Sequence, residues 1–488
     1  MGTVPAYFDE ALDSALGIVH RPWFEAQLRS YLDGSINDSD PAWYALRNAI
    51  YASGSRVELS KTKTFLEANQ TAWGWFENAL AAHTEILYFR TSILGVQALT
   101  VMAYYSHNIG SPCLEYMLCT NALRLAVAKG LHRQPVSSWN SSEHENNLRS
   151  CLFWAAYCLE KQIVSQSGRH SLIDDDDVNC QVPTQVPAGS TVNLQYFTIL
   201  IRLARLSSVV SKRLSTVRAF QQGAELLVRS VAELDEQLNA LRRSVDPILF
   251  LESPINLKRM PAGMTLQQAM YLRYGFFNVA LDIHTALTYP WCRSMVGLTP
   301  HAALRNQVEK STQTVAETCR SAILATEHIH FDANTPVPMS FFGPMYALIN
   351  LFIYILQTPQ QSRIQSDLAL MDVAAGHFAR MQIATDSEVT FTFAKEVAAL
   401  AHEAVARGSS SRRYSGNESL GMDSDPSRLR PDMSDCMTDR TGNVLEDDLQ
   451  CDDPTASYVN PFFDLELENW STFLPAGFDD KVMDFSVG

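Results

Sequence analysis

Four consecutive aspartates, Asp174 to Asp177, have the residue type and spacing that come closest to a metal site in this chain. Carboxylate oxygens at alternate positions are typical ligands of calcium loops, and the pattern Asp-x-Asp-x-Asn that starts at Asp175 fits the first three ligand positions. The sixth position of such a loop would then be Cys180 instead of glycine, and the twelfth would be Val186 instead of glutamate. The run therefore predicts a hydrated loop and not a calcium site.

Aspartate-rich patches also bind magnesium and a substrate diphosphate in all-helical isoprenoid synthases. Such enzymes need a second metal motif of the form Asn/Asp-Asp-x-x-Ser/Thr-x-x-x-Glu, and the sequence contains none. It also lacks a nucleophile elbow, a phosphate-binding loop, a dinucleotide fingerprint and a His-Glu-x-x-His zinc helix. We therefore predict no catalytic residue, no metal ligand and no cofactor in this chain, and we do not expect an enzyme.

Cysteine and histidine do not form a convincing site either. Cys151 and Cys158 lie seven residues apart, which places both on one face of a helix beside Leu148 and Leu152. Because free cysteine is among the most buried residue types, we expect both thiols in the core. The sequence contains no Cys-x2-Cys pair, and its 12 histidines are dispersed.

The composition predicts a large folded protein with an acidic end. Apolar residues make up 46% of the 488 residues, and this length exceeds the size at which one core keeps growing, so we expect two packed lobes or additional segments. The formal net charge of -15 argues against direct binding to nucleic acid, because phosphate contacts need clustered Lys and Arg. About two-thirds of that charge comes from residues 443–488, with 11 acidic residues and one lysine.

Cysteine usage and the absence of targeting segments indicate the compartment. The nine cysteines are an odd number and lie mostly in apolar helical patterns, which is typical of a reducing intracellular environment. The residues after Met1 do not form a secretory signal. The longest apolar stretch, Met339 to Leu356, is interrupted by Gly343, Pro344 and Asn350, so we predict a buried helix there and no membrane contact.

Helical periodicity dominates residues 22–407, which predicts an all-α fold. Ser142 is placed to cap a helix and Glu145 to complete a capping box, and apolar residues then recur every three or four positions over 148–163. Gly130 stands where a left-handed cap would end a preceding helix. The other predicted helices cover Leu114–Lys129, Leu194–Leu214, Gln222–Leu241, Leu266–Leu287, Ala302–Ile329, Met345–Gln357, Ile364–Ile383 and Thr390–Ala406.

We predict three parts: a helical regulatory domain over 1–407, a flexible linker over 408–442 and an acidic aromatic tail over 443–488. The linker is rich in Ser, Gly, Arg and Asp, and a basophilic kinase pattern ends at its Ser415, a predicted phosphorylation site. The tail alternates acids with large apolar groups, which is typical of a disordered activation segment. Its predicted anchors are Phe462, Phe463, Leu465, Leu467, Trp470, Phe473 and Leu474.

Three short segments resemble the central homology region of fungal zinc-cluster transcription factors. They are a helix that ends in Gly130-Leu131-His132-Arg133, an apolar helix around Trp154, and a loop that begins at Gly168-Arg169, contains the four aspartates Asp174, Asp175, Asp176 and Asp177, and reaches Pro183. The likeness extends from Tyr7 to about residue 400. It implies a helical domain in the nucleus that controls activity, dimer state or effector response, often for a nutrient pathway or a secondary-metabolite gene cluster.

Members of that family read DNA through an N-terminal cluster in which six thiolates hold two zinc ions. Because this sequence lacks Cys-x2-Cys, we expect DNA contact only through a missing or partner-supplied zinc cluster. The expected partners are a homo- or hetero-dimer mate among related factors, and coactivator or transcription machinery proteins.

Two other functions stay open at this point. One is a helical ligand-binding protein or enzyme derived from the same domain, in which Trp73, Trp75, Trp154 and Trp291 line a pocket or simply fill the core. The other is a corepressor or dominant-negative partner that sequesters full-length relatives. Convergent polar groups in a closed cavity, with a second carboxylate facing Asp174 to Asp177, would favour the enzyme.

Overall fold

The computed structural model describes residues 2–35, 39–135, 142–221, 223–245, 260–261, 263–289 and 302–415. Within these ranges every regular element is a helix, so the all-α prediction is confirmed. Five short 3-10 or π turns lie over Leu12–Leu16, Glu85–Phe89, Asp175–Asp177, Thr326–His328 and Pro338–Phe342. The α-helices are α1 (Thr3–Glu10), α2 (Arg21–Leu32), α3 (Pro41–Leu59), α4 (Phe65–Ala81), α5 (Ile93–Asn108), α6 (Pro112–Ala128), α7 (Glu143–Ser167), α8 (Leu194–Leu214), α9 (Val217–Phe220), α10 (Ala224–Arg243), α11 (Leu266–Thr288), α12 (Ala302–Ala325), α13 (Gly343–Gln357), α14 (Ile364–Ala384) and α15 (Phe393–Ser415).

Local sequence sets several helix ends. Thr64 and Thr265 begin α4 and α11 with complete capping boxes. The hydroxyl of Ser142 accepts a hydrogen bond from the backbone N–H of Glu145 at 3.1 Å, so the predicted cap of α7 is confirmed. The predicted return bond from the Glu145 side chain, which would complete a capping box, is not formed. Gly130 has φ +70°, in the left-handed region, so the predicted cap after α6 is confirmed.

The helices pack around two hydrophobic cores that share α11. Leu272 and Phe276 face a first core built by helices α1 to α10, whereas Tyr274 and Phe277 face a second core built by α12 to α15. We call residues 3–245 the first lobe and residues 302–415 the second lobe. The described helices therefore form two packed lobes, one of the two arrangements that the sequence analysis expects.

Two helix contacts are close enough to require glycine. A Cβ atom added to Gly54 of α3 would lie 1.9 Å from the carbonyl oxygen of Thr3 in α1. A Cβ atom added to Gly343, at the start of α13, would lie 2.4 Å from a ring carbon of Tyr274 in α11. At both positions the missing side chain lets two helices approach more closely than alanine would allow.

A buried ion network joins the two lobes through α11. The carboxylate of Asp235 in α10 lies 2.7 Å from Lys310 Nζ in α12 and 3.4 Å from His284 Nε2 in α11. Burial on its own would raise the pKa of Asp235. Hydrogen bonds from His284 and Lys310 outweigh that effect and lower the pKa. The network ties the end of the first lobe to the first helix of the second.

The apolar stretch around α13 lies inside the second lobe. The segment Pro338–Gln357 has the length and the mean hydropathy, 1.7, of a membrane span, but 67% of its 18-residue window is buried within the protein. Its residues Ala347, Leu348, Leu351 and Ile355 are fully buried. The prediction of a buried helix at this position is confirmed.

The last helix, α15, ends at Ser415, eight residues beyond the predicted domain boundary at 407. Adding a residue to an existing helix costs much less than nucleating one, so a polar segment can continue a packed helix. The rest of the predicted linker and the whole tail over 443–488, with its seven anchors, lie outside the described residues, as does Trp291.

Candidate regulatory cleft

Helix α7 forms the centre of the site that the sequence motifs outline. Its residues Phe153, Trp154 and Tyr157 are buried in the first core, and Gly168 ends the helix with φ +65°. Cys151 and Cys158 are buried on the same helix, as predicted. The chain that leaves Gly168 returns along α7 and carries the four aspartates back toward the end of α6.

The turn after α6 is bonded to the end of the aspartate loop. Leu131 is buried, and the carbonyl oxygen of His132 accepts hydrogen bonds from the backbone N–H groups of Asn179 and Cys180 at 3.2 and 3.1 Å. Arg133 Nη2 lies 3.2 Å from Asp177 Oδ1. Two motifs that stand over 40 residues apart in the sequence therefore form one surface.

The segment that follows the aspartates is fixed to Trp154. The indole Nε1–H of Trp154 donates to the carbonyl oxygen of Gln181 at 3.0 Å, and Pro183 is buried close by in sequence. The guanidinium of Arg205, from α8, lies 4.5 Å from the centre of the Trp154 ring. Trp154 thus fills the core and does not line an open pocket.

The four aspartates are exposed or half-exposed, yet each has a cationic neighbour. Lys212 of α8 lies 3.0 Å from Asp174 and 4.0 Å from Asp176, while Arg133 holds Asp177. The backbone N–H of Asp176 and the ammonium of Lys212 hold the pKa of Asp174 below its usual range. The loop is hydrated, as predicted, and it also serves as an electrostatic connection between α6, α7 and α8.

Asp175 connects the loop to the interior. Its Oδ1 accepts a hydrogen bond from the hydroxyl of Tyr157 at 2.6 Å and lies 3.9 Å from Lys161 Nζ. Burial is the main cause that raises the pKa of Tyr157, and the nearby carboxylate adds to it, so the phenol stays protonated. Asp175 therefore has its charge compensated by protein groups.

Glu160 and Lys161 form a buried ion pair that the sequence analysis missed. Their relative exposures are 3% and 1%, and their charged atoms lie 3.4 Å apart. The ammonium also donates to Ser171 Oγ at 2.5 Å and to the carbonyl oxygen of Ile173 at 3.2 Å, while Glu160 accepts from the N–H of Leu172 at 2.8 Å. The available signal was two charged residues inside the apolar run of α7.

These elements enclose a cleft of about 490 Å³ between the end of α7, the loop after it, the end of α8 and α11. Its wall includes Arg169, whose guanidinium lies 4.3 Å from the ring centre of Tyr116, and its floor includes Asp282 of α11. Ser165 and Ser207 line both this cleft and a smaller cavity of about 40 Å³ behind it. That cavity is bounded by Cys158, Gln162, Gln166, Leu200, Leu203, Ala204, Tyr271, Gly275, Asn278 and Val279.

Asp282 is the unusual group of the cleft. Its carboxylate accepts a hydrogen bond from the hydroxyl of Ser165. Burial raises the pKa of Asp282 to about 7, and the Ser165 hydrogen bond offsets only part of that effect. Among the residues that the structure describes, no Lys, Arg or His nitrogen lies within 4 Å of this carboxylate.

In chemical terms the cleft offers a space in which a small molecule can bind. The described part of the chain contains no group of three or more His, Cys, Asp or Glu side chains placed to hold a metal ion. Asp282 is the second carboxylate that faces the aspartate loop, but the cleft is open and the loop acids are already paired. A volume of several hundred Å³ is the usual size of a small-molecule site.

Residues 5–243 match a protein-family model described as the fungal specific transcription factor domain. The matched region ends at Arg243, the last residue of α10, so it covers the first lobe and stops before the helix that both cores share. It contains α7, α8 and the aspartate loop but not Asp282.

The chain is also similar to named regulators from fungi. It is 28% identical to an ABC-transporter-regulating transcription factor of Aspergillus oryzae over 384 residues, 75% of this chain and 42% of the relative. It is 28% identical to a protein of the same name from Aspergillus fumigatus over 347 residues, 68% of this chain and 38% of the relative. A third relative, the Fusaridione A cluster transcription factor of Fusarium heterosporum, is 30% identical over 255 residues, 50% of this chain and 46% of the relative.

The chain thus spans about two-fifths of the length of the first two relatives. The matches over 384 and 347 residues are longer than the family region, so their similarity includes parts of the chain outside residues 5–243. No solved structure matches the chain at a significant level.

Proposed function

Because this chain carries a fungal specific transcription factor domain over residues 5–243, we propose that it regulates transcription in the nucleus through contacts with other proteins. The family match is the observation that supports this function most directly. The family and the relatives named above are regulators of transcription, which argues against an enzyme. The helical lobes act as a regulatory scaffold, and the acidic aromatic tail over 443–488 is the activating part.

DNA contact in this proposal comes from a zinc cluster that these 488 residues do not contain, supplied by a partner or by a further segment. The net charge of -15 and the absence of Cys-x2-Cys support that division. A dimer with a second copy or with a related factor would bring the two parts together. Light scattering of the purified chain, alone and with a related zinc-cluster factor, measures that association.

The target genes follow from the printed names of the relatives only as a proposal. The two matches that cover 75% and 68% of this chain are with ABC-transporter-regulating factors, whereas the biosynthetic-cluster regulator covers 50%. We therefore place transporter genes first and a secondary-metabolite cluster second. Transcript profiling after deletion of the gene distinguishes the two classes.

The tail has the energetics of a short-lived activation contact. Burying one aromatic or leucine side chain contributes roughly 1.5–3 kcal/mol, and three anchors such as Phe463, Leu467 and Trp470 would contribute about 5–9 kcal/mol. Ordering the segment costs roughly 2–5 kcal/mol before any association penalty. The remainder corresponds to micromolar or weaker affinity for a coactivator groove.

A reporter assay tests this function. The full chain, fused to a heterologous DNA-binding domain, is expected to activate a reporter, and changing Phe462, Phe463 and Trp470 to Ala is expected to remove most of that output. The matched control changes Tyr458, Phe478 and Phe485 to Ala, which removes three rings of the same tail and is expected to retain activation. Repression by the tethered chain would instead support the corepressor function.

Ser415 remains a proposed phosphorylation site that adjusts how the tail is presented. It follows Arg412 and Arg413 and is the last residue of α15. A phosphate adds about two negative charges, and negative charge at a helix C-terminus opposes the helix dipole. Phosphorylation would therefore shorten α15, and an unchanged regulatory response in a Ser415→Ala chain would contradict this role.

A further inference from the structure

We propose that the cleft between α7, α8 and α11 binds a small organic cation, an amine carried on an apolar body, through the carboxylate of Asp282. This inference does not depend on the proposed function, because it concerns a site on the folded chain that can be tested without transcription. Most charged groups of the cleft already have partners within the protein, whereas Asp282 has no cationic partner among the described residues.

The cations of the cleft are engaged by the protein. Lys161 donates to Ser171 and to the carbonyl oxygen of Ile173 and pairs with Glu160. Lys212 pairs with Asp174, and Arg169 lies over the ring of Tyr116. A ligand anion would have to displace these contacts, so the cleft is poorly prepared for a carboxylate or a phosphate.

Asp282 has no cationic partner among the residues that the structure describes. Its carboxylate accepts a hydrogen bond from the hydroxyl of Ser165, and the phenol of Tyr346, which donates to the carbonyl oxygen of Gln166, supplies no positive charge. A half-buried carboxylate without a counter-ion among the described residues is stabilised by a ligand that brings one. A protonated amine matches that requirement, since it supplies both a charge and hydrogen-bond donors.

The space next to Asp282 fits an apolar body with a few polar atoms. The cleft of about 490 Å³ has room for such a body, and its lining includes the apolar residues Val164, Ile173 and Val210 beside Asp282. The cavity of about 40 Å³ behind the cleft shares Ser165 with it and has space for only a small group. The side-chain nitrogen of Gln166, on the same cavity, is buried and has no hydrogen-bond partner among the described residues. It offers a donor to an ether, carbonyl or aromatic ring of the ligand.

Such a ligand would connect the first lobe to α11, the helix that both cores share. Ser165 and Lys161 belong to the first lobe, whereas Asp282 belongs to the helix that both cores share. Binding across this junction would stabilise one arrangement of α7 and α8 relative to α11, and it would bias the protein by the difference in affinity between arrangements.

Three fluorescent probes of matched shape test the inference on the full chain at pH 8: dansylcadaverine, its N-acetyl derivative and dansyl-6-aminohexanoate. They carry a positive charge, no charge and a negative charge at the same end. We expect the amine to bind at least tenfold more tightly than the acetylated probe. Equal affinities, tighter binding of the anion, or no binding of any probe would overturn the proposal.

The variant Asp282→Asn keeps the shape of the side chain and removes its charge. The substitution is expected to lower the affinity for the amine probe about tenfold and to leave the affinity for the acetylated probe unchanged. The matched control is Glu236→Gln, which neutralises an exposed acid of α10 outside the cleft. It should change the affinity for neither probe. An amine affinity that survives Asp282→Asn would refute the role of this carboxylate.

A pH series on the unsubstituted chain keeps the proposal testable if Asp282→Asn does not fold. Since burial raises the pKa of Asp282 to about 7, the ionised fraction falls about tenfold between pH 8 and pH 6. The affinity for dansylcadaverine should fall by the same factor, while the affinity for the acetylated probe should stay nearly constant. A flat profile for the amine would count against the assignment. The acids Asp174 and Asp175, the exposed His170 and the cations Lys161, Arg169 and Lys212 share the cleft with Asp282. The variant His170→Gln, with the same pH dependence expected, separates the two groups.

Discussion

Buried ion pairs have different structural roles in the first lobe and in the second lobe. In the first lobe, Glu160 and Lys161 are neighbours on α7, and their hydrogen bonds go to the loop over 171–173. In the second lobe, Arg320 of α12 and Asp367 of α14 join two helices by paired contacts of 2.7 and 2.8 Å. Buried charge therefore shapes an irregular segment and a cleft in one lobe and fixes helix packing in the other.

The difference explains where a binding site lies. Loops contribute backbone groups and short polar side chains that leave space between helices, whereas the second core is closed by apolar contacts among Phe341, Phe378 and Phe391. The cleft consequently lies on the side of α11 that faces the first lobe. A ligand in the cleft would contact the lobe that the family model matches.

The largest effect is expected in the second lobe, from Arg320→Met. Asp367 is fully buried, and removal of its guanidinium partner would leave an uncompensated buried carboxylate, at a cost of about 3–5 kcal/mol. Urea unfolding measures this loss. The control Arg407→Met removes an exposed ion pair with Glu403 and is expected to cost about 1 kcal/mol or less. Equal effects of the two changes would remove the contrast between buried and surface pairs.

Lys161→Met tests the corresponding pair in the first lobe. The expected cost is about 2–4 kcal/mol, because the ammonium loses three polar contacts while Glu160 keeps its bond from the N–H of Leu172. The substitution should also destabilise a different region from the one that Arg320→Met affects. Hydrogen exchange is expected to speed up at Leu172 and Ile173 and to stay slow in α12 and α14. Uniform acceleration would show that the pair supports the whole fold and not the loop.

Gly343→Ala tests the contact between the second lobe and the shared helix. The new methyl group would meet the Tyr274 ring, which is held by its hydrogen bond to the carbonyl oxygen of Ala322, so the expected cost is about 1–3 kcal/mol. Gly376→Ala in α14 is the matched control, since an added Cβ there meets open space and should stabilise the helix by about 0.5–1 kcal/mol. Thermal unfolding distinguishes the opposite signs.

The smallest effect, when it is counted per pH unit, is the pH dependence that Asp282 adds to the free energy of unfolding. Its pKa is about 7 in the folded chain, against about 3.9 when unfolded, so between these values the folded state holds one more proton. Stability is therefore greatest below the unfolded pKa and declines as pH rises toward 7, by at most about 1.4 kcal/mol per pH unit. The difference in unfolding free energy between the unsubstituted chain and Asp282→Asn isolates this group. A difference that does not vary between pH 5 and pH 7 would contradict the shifted pKa.

Much of the local structure follows from short-range chemistry. The cap at Ser142, the left-handed turn at Gly130 and the apolar stripe of α7 depend on residues within a few positions of each other, so periodicity and composition predict them. The same holds for the buried helix around Leu351 and for the hydration of the aspartates, since a run of four carboxylates cannot be buried without counter-charges.

The cleft could not be predicted from local sequence, because the side chains that line it come from distant parts of the chain. Lys212 reaches Asp174 across 38 residues, and Ser165 meets Asp282 across 117. Each of these side chains, taken alone, is a common polar residue on a helix. An acid inside the apolar run of α11 was a signal that something buried it, but not of what it faced.

Residue type and spacing determined by themselves that this chain is all-α, that its acids gather at one end and that its central segments resemble a fungal regulatory domain. Those properties are sums over neighbours along the chain. Only the tertiary structure decided that the aspartates are held by Arg133, Lys161 and Lys212, and that Asp282 has no counter-ion within the described part of the chain. Such pairing depends on which helices touch, and contact between helices is set by the shape of the two cores and not by any local run of sequence.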